Sequence, residues 1–374
     1  MGELRARTAI VHDWFQGYHG AERTVEAMRA DLFAPGCEPD VFTFQAAREL
    51  LPPDLANAIV AESTLSRLPG LRQRGHDPGR WRYLLPVMGR YFEGLDLENY
   101  DLVISSSHAC AVDVRPRKDA LHVCYCYTPM RYAWLPGTEG GRLTGAQGAA
   151  LRLLRRRLQR RDLAASRRPD LYVAISQAVR ERIRAFYGRD SVVVHPPVDV
   201  DDLDHGRDKE AGHFLWVNRL VSYKRPELVV EAFRGLPYRL TMVGIGPLEA
   251  KLRSMLPPNV ELRGWTPRRE LVALYERSSG FLHVGEEDFG IATVEALAAG
   301  TPVVALDRGG ARDIVRDGED GILVADDDVA TLRGAIRDVA ERTWEPGRLA
   351  ERAQRFSRGQ FVGRLRAELT PLLS

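Results

Sequence analysis

"GFLHVGEEDFGIATVEALAAGTPVVAL", residues 280–306, decides the fold. "GFLHV" is an apolar run of strand length, Gly285–Asp288 break it, small apolar residues from Ile291 onward read as a helix, and "PVVAL" resumes a strand. A strand, a helix and another strand in this order form the unit of a parallel sheet covered by helices. Carboxylates mark the unit at Glu286, Glu287 and Asp288, before the helix, and at Glu295 inside it. Acids favour the first turn of a helix, which accounts for Glu286 or Asp288. Glu295 is flanked by Ile291, Val294, Ala296, Leu297 and Ala298, so it lies near an apolar face where a carboxylate is costly without a partner.

The same alternation extends in both directions. Upstream run "HFLWVNR", "PELVVEAFRGL", "YRLTMVG", "PLEAKLRSML", "VELRGW" and "RRELVALYERS", and downstream comes "GILV". Before them, "SVVVHPPVDVDDLDHGRDKEAGH" ends a strand with two prolines and turns polar and acidic, which marks a domain boundary. An earlier series, "TAIVHDW", "AERTVEAMRADLF", "PDVFTF", "YDLVISSS", "ALHVCYCYT" and "LYVAISQ", repeats the pattern. The chain is therefore read as α/β, with two doubly wound parallel sheets in tandem, as its 374 residues suggest.

Composition narrows the class. No apolar run reaches the roughly 18 residues that span a bilayer, and "TAIV" is too short for the core of a secretory signal, so a cytoplasmic protein is expected. Cys37, Cys110, Cys124 and Cys126 contain no paired metal-ligand spacing and are read as buried thiols, with no metal site. A net charge of only +2 and the lack of an aromatic platform argue against nucleic acid. Lysine is scarce, four residues against 49 arginines, and only Lys224 of Lys118, Lys209, Lys224 and Lys251 stands in a legible setting.

In order and spacing, "GAERTVEAM", "VAISQAVRERI", "HPPVD", "NRLVSYKRPELVVEAF", "VGIGP", "GWTPRREL", "EEDFGIATVEALAAGTPVVA" and "GGARDIVRDGEDGIL" resemble the retaining family 4 glycosyltransferases over nearly the whole chain. The resemblance implies the GT-B fold: two Rossmann-like domains facing a cleft. The acceptor-binding domain would be 1–197 and the nucleotide-sugar-binding domain 198–354, with a C-terminal helix at about 355–374 packing back on the first. Glu287 and Glu295 match its E-x7-E motif, which implies Glu287 at the donor sugar hydroxyls and Glu295 on the nucleotide ribose, a diol that a carboxylate suits. Arg219 and Lys224 match the pair that binds the donor diphosphate and stabilises the leaving phosphate. Arg offers a planar fork and Lys a compact point charge, so neither replaces the other. Phe289, Gly290 and Ile291 would approach the donor through backbone at a helix N-terminus, as Gly20 would in the first domain. The family usually has two glycines there, and this chain reads His19-Gly20.

Many relatives carry a histidine just before the Thr-Pro of "CYCYTPMRYAW", where this chain has Tyr127, a poor base at neutral pH. Tyr127, Arg131 and His108 are the acceptor-side candidates, with Tyr132 and Trp134 either beside them or packed in the core. No covalent nucleophile is evident, and the acidic runs "DDLD" at 201–204 and "DDD" at 326–328 fall in linker-like sequence rather than beside the phosphate residues. The expectation is a metal-independent retaining hexosyl transfer without a cofactor, with GDP-mannose as donor and a glycan, polyprenyl-linked oligosaccharide or other glycolipid as acceptor in bacterial surface polysaccharide synthesis. A nucleotide-sugar 2-epimerase and a non-catalytic sugar-nucleotide sensor are the alternatives. The basic helix at 150–168, with Leu151, Leu154 and Leu158 on one face and Arg152, Arg155, Arg156, Arg157, Arg160 and Arg161 around it, reads either as a peripheral contact with the inner face of the cell membrane or as a solvated helix on the sheet.

Overall fold

In the computed structural model, which describes residues 4–67, 84–135 and 145–373, two parallel sheets are built from apolar runs buried on both faces. The strands of the first are Thr8–His12 (β1), Asp40–Thr43 (β2), Ile59–Glu62 (β3), Leu102–Ser107 (β4), Leu121–Cys126 (β5), Leu171–Ala174 (β6) and Val192–Val193 (β7), in the order β3-β2-β1-β4-β5-β6-β7. Those of the second are Glu210–Val217 (β8), Arg239–Val243 (β9), Val260–Gly264 (β10), Ser278–His283 (β11), Val303–Leu306 (β12) and Gly321–Val324 (β13), in the order β10-β9-β8-β11-β12-β13. In each sheet the order reverses once, at β1/β4 and at β8/β11. Open α/β sheets bind ligands outside the carboxyl ends of the strands at such switch points.

The chain divides into two compact units, one formed by the chain up to Pro197 together with Phe361–Ser374, the other by Val198–Gln360. In the first unit Val11, Val103, Phe44 and Phe92 fill the core, and in the second Phe214, Trp216, Phe233 and Leu282 do so. The C-terminal helix Arg358–Leu369 brings Phe361 edge-on to Tyr125, with ring centroids 5.8 Å apart, and Arg366 donates to the Asp31 carbonyl at 2.6 Å.

The basic segment forms the helix Gly145–Ala165. Leu158 is buried, Arg155 Nε donates to the Ala133 carbonyl at 2.7 Å, and Asp162 accepts from Trp134 Nε1 at 2.6 Å and from the Tyr187 hydroxyl at 2.7 Å. Leu154, Arg156, Arg157 and Arg160 are exposed, while the side chains of Leu151 and Arg152 lie outside the described residues. Trp134 therefore packs, stacked on Phe186 at 4.9 Å. Cys110, Cys124 and Cys126 are buried free thiols, and Cys37 is a half-buried one.

Candidate active site

β8 ends in a loop whose course is set by glycine. A Cβ on Gly244 would fall on the Asn218 carbonyl and one on Gly246 would meet that of Leu220 at 2.5 Å, so the loops after β8 and β9 lie against each other. The β8 loop then makes a 3-10 turn, Ser222–Lys224, and reverses at Arg225, a non-glycine residue in the left-handed region at φ 55°. Arg225 is anchored by an ion pair to Asp327 at 2.5 Å. The reversal turns Lys224 inward, where it is 6% exposed.

Opposite it, β11 runs out through Gly285 into Glu287. Lys224 Nζ pairs with Glu287 Oε1, and the same oxygen accepts from Asn218 Nδ2 at 3.1 Å. His283 Nδ1 stands 3.7 Å away. Burial alone would raise the Glu287 pKa, but the positive charge of Lys224, then His283 and the hydrogen bonds from Lys224 and Asn218, outweigh it and hold the group at about 2. Glu287 is thus a permanent carboxylate, an acceptor and not an acid. Its engaged oxygen is Oε1, which leaves Oε2 for a ligand hydroxyl.

Gly290 begins the helix Ile291–Ala298 at φ 111°, a conformation that favours glycine, and the helix start has no side-chain cap. The first N–H groups of a helix have no partner within it and attract anions. Beneath Gly290 lie His283 and Thr293, both buried; among the described residues neither ring nitrogen of His283 nor Thr293 Oγ1 has a hydrogen-bond partner. Burial, reinforced by Lys224 against the opposing pull of Glu287, lowers the His283 pKa. Phe289 packs its ring on Phe356 at 5.4 Å, which leaves its backbone as the part able to meet a ligand. Arg219 is exposed, with no side-chain hydrogen bond or ion pair among the described residues. Glu295 is buried in the second turn of the helix, and Arg268 Nη1 donates to its Oε1 at 2.5 Å. That is the partner a buried carboxylate at this position requires.

The first unit arranges its switch point differently. Asp13, after β1, is fully buried and takes four backbone N–H bonds, from His108 at 2.7 Å and Ala109 at 2.9 Å on Oδ2 and from Cys110 at 2.6 Å and Ala111 at 2.7 Å on Oδ1. The chain's own carboxylate fills the anion nest beyond β4. His108 Nδ1 lies 3.4 Å from Asp13 and its ring meets Trp14 edge-on at 4.4 Å. The Tyr127 hydroxyl donates to the Ala21 carbonyl at 3.1 Å and contacts Ser106 Oγ at 3.0 Å, and burial raises its pKa. Tyr127 ties β5 to the start of the helix Gly20–Asp31. His19 precedes that helix in extended backbone, φ −121°, which needs no glycine, and its N–H donates to Glu22 at 3.0 Å. Arg131 opens the short helix Arg131–Trp134 and is half-buried.

Asn218, His283 and Arg268 join the candidate residues although the sequence reading did not single them out. All three stood inside quoted stretches, Asn218 in "NRLVSYKRPELVVEAF", Arg268 in "GWTPRREL" and His283 in "GFLHV", but none was assigned a role there. "DDLD" and "DDD" take structural roles: Asp201 accepts from Gln354 at 3.1 Å and Asp328 caps the helix Val329–Glu341. No group of three or more His, Cys, Asp or Glu among the described residues is placed to hold a metal ion.

Two Rossmann-like parallel sheets of this order define a GT-B α/β protein. The model described as Glycosyltransferase Family 4 matches residues 18–202 and that described as Glycosyl transferases group 1 matches 199–356, which together place the chain among the GT-B glycosyltransferases. D-rhamnosyltransferase WbpZ of Pseudomonas aeruginosa is 30% identical over 192 residues, 49% of each chain. D-inositol 3-phosphate glycosyltransferase of Mycolicibacterium smegmatis is 31% identical over 216 residues, 49% of this chain and 48% of the relative. The chain thus spans about half the length of these curated relatives. Among solved structures, Anabaena Alr3699/HepE in complex with UDP superposes with a TM-score of 0.69 at 17% identity, covering 98% of this chain and 100% of that one, a likeness of fold.

Proposed function

We propose that the protein transfers a hexose, with retention and without a metal, from a nucleoside diphosphate sugar to a glycan or lipid-linked acceptor. The observation that carries this reading is the Lys224–Glu287–Asn218 cluster beside the uncapped helix start at Gly290, at the switch point of the second sheet. Breaking an anomeric bond develops positive charge on the sugar carbon and negative charge on the departing diphosphate. Lys224, Arg219 and the first amides of the Ile291 helix oppose the negative charge, while Glu287 Oε2 accepts from a sugar hydroxyl. The hydroxyl of Tyr127 is committed to Ala21. The departing phosphate then takes the acceptor proton.

GDP-mannose is the donor we favour. A relative named as a D-rhamnosyltransferase and a fold neighbour in complex with UDP put other hexoses and uridine nucleotides into the test. The exposed Arg156, Arg157 and Arg160 support contact with an anionic membrane surface, and no helix among the described residues is long and apolar enough to cross a membrane. The test is the melting temperature of the protein with GDP-, UDP- and ADP-hexoses. A ligand at a hundred times its Kd stabilises the folded state by about 2.7 kcal/mol, so one donor should raise the midpoint by several degrees. A panel with no shift contradicts the reading.

A further inference from the structure

Arg268 is where the donor site departs most from what its carboxylates alone would do. It opens the helix Arg268–Arg277, behind Pro267, and reaches across to the helix Ile291–Ala298 to hold Glu295. The bond takes Glu295 Oε1. A ribose diol arriving at this carboxylate would therefore meet a group already oriented by a cation on Oε1, with Oε2 the less encumbered acceptor. The other arm of the guanidinium, Nη2, is buried with no hydrogen-bond partner among the described residues, and Asp202 stands 4.0 Å from it. A buried donor left unmade is costly, and a ribose oxygen accepting from it would remove the cost.

The spacing of this pair is fixed from the far end. Lys209 donates from one ammonium to the Glu276 carbonyl at 2.8 Å, the Ala299 carbonyl at 2.5 Å and Thr301 Oγ1 at 2.9 Å. These carbonyls belong to the last turn of the Arg268 helix and to the residue that ends the Glu295 helix, so the two helices are tied at their C-terminal ends. The carboxylate is held on one side, and the Lys209 bonds oppose sliding of one helix past the other.

Given the donor reading above, on which this rests, we propose that Arg268 is a specificity-determining positioning residue: by holding Glu295 it sets the requirement for an intact ribose diol in the nucleotide. The planar guanidinium holds Oε1 with one arm and keeps its second arm, Nη2, at the same site, a geometry that neither an apolar side chain nor a point charge reproduces. The test is the affinity, by calorimetry, of the ribo, 2′-deoxy and 3′-deoxy forms of the nucleoside diphosphate that raises the melting temperature, for wild type, Arg268→Met and Arg268→Lys. The wild type should prefer the ribo form by on the order of tenfold or more, the worth of a hydrogen bond to a charged group. Both variants should lose that preference, to less than about threefold. Arg268→Lys keeps the charge beside Glu295 and therefore the fold, so it is read in the same way if the Met variant does not fold. A wild type indifferent to the deoxy forms, or a folded variant that keeps the full preference, overturns the proposal. A wild type that binds no nucleoside diphosphate at all fails the donor reading instead, a separate outcome.

Discussion

Of the four lysines, two stand where a compact ammonium is needed. Lys209 gathers two carbonyls and a hydroxyl between helix ends, and burial lowers its pKa to about 8 even though Glu276 and Asp204 pull it up. Lys224 lies along Gly285, where even an added Cβ would come 3.0 Å from its Cα and 3.1 Å from its Cδ. An arginine would carry a wider head on this confined stem, and displacement of a cation by ~1 Å costs on the order of a hundredfold in rate. Lys224→Arg should lose about that much transfer activity with its unfolding transition retained, as parallel assays of turnover and circular dichroism would show. The pair also makes a pH prediction. Glu287 has a folded pKa of about 2 against 4.5 unperturbed, so its contribution, on the order of 3 kcal/mol, is complete above pH 4.5 and is lost as pH falls towards 2. Lys224→Met removes it. The stability gap between wild type and this variant in urea should be wide at pH 6 and narrow at pH 3, and a gap of constant width would refute the ion-pair account.

At the scale of elements, the loop after β4 is organised by Asp13. Asparagine there would offer one oxygen and aim an NH2 group at backbone donors, and each buried N–H left unmade costs about 1–3 kcal/mol. Asp13→Asn is expected to lower the unfolding free energy by about 3 kcal/mol or more in chemical denaturation. Nothing in the sequence announces this role, because the four amides lie about 95 residues downstream of Asp13. The elements themselves were mostly legible, since parallel strands buried on both faces leave continuous apolar runs. β3 was not: its "IVAE" is an edge strand with Val60 54% exposed, and it carries no such run. Lys224 and Glu287 were legible as residues, but their contact was not, and Arg268, one of 49 arginines, was hidden by composition. Its identity as the partner of Glu295 depends on two helices meeting, which spacing along the chain does not encode.

For the whole molecule, both sheets reverse strand order once, yet they treat anions in opposite ways. The first fills its nest with Asp13, and the second leaves the helix start at Gly290 uncapped. This asymmetry supports the proposal that the nucleotide binds the second unit, with Lys224, Arg219 and backbone amides meeting its phosphates. Transfer should therefore proceed at an unchanged rate in EDTA, and loss of activity restored by magnesium or manganese would replace the mechanism with a metal-assisted one. The most direct measurement is the rate of nucleoside diphosphate release from the matched sugar donor, alongside donor affinity, in wild type, Glu287→Ala and Glu295→Ala. The account predicts that Glu287→Ala still binds donor but releases diphosphate about a hundredfold more slowly, whereas Glu295→Ala loses donor affinity first. Release at the wild-type rate by Glu287→Ala would contradict it.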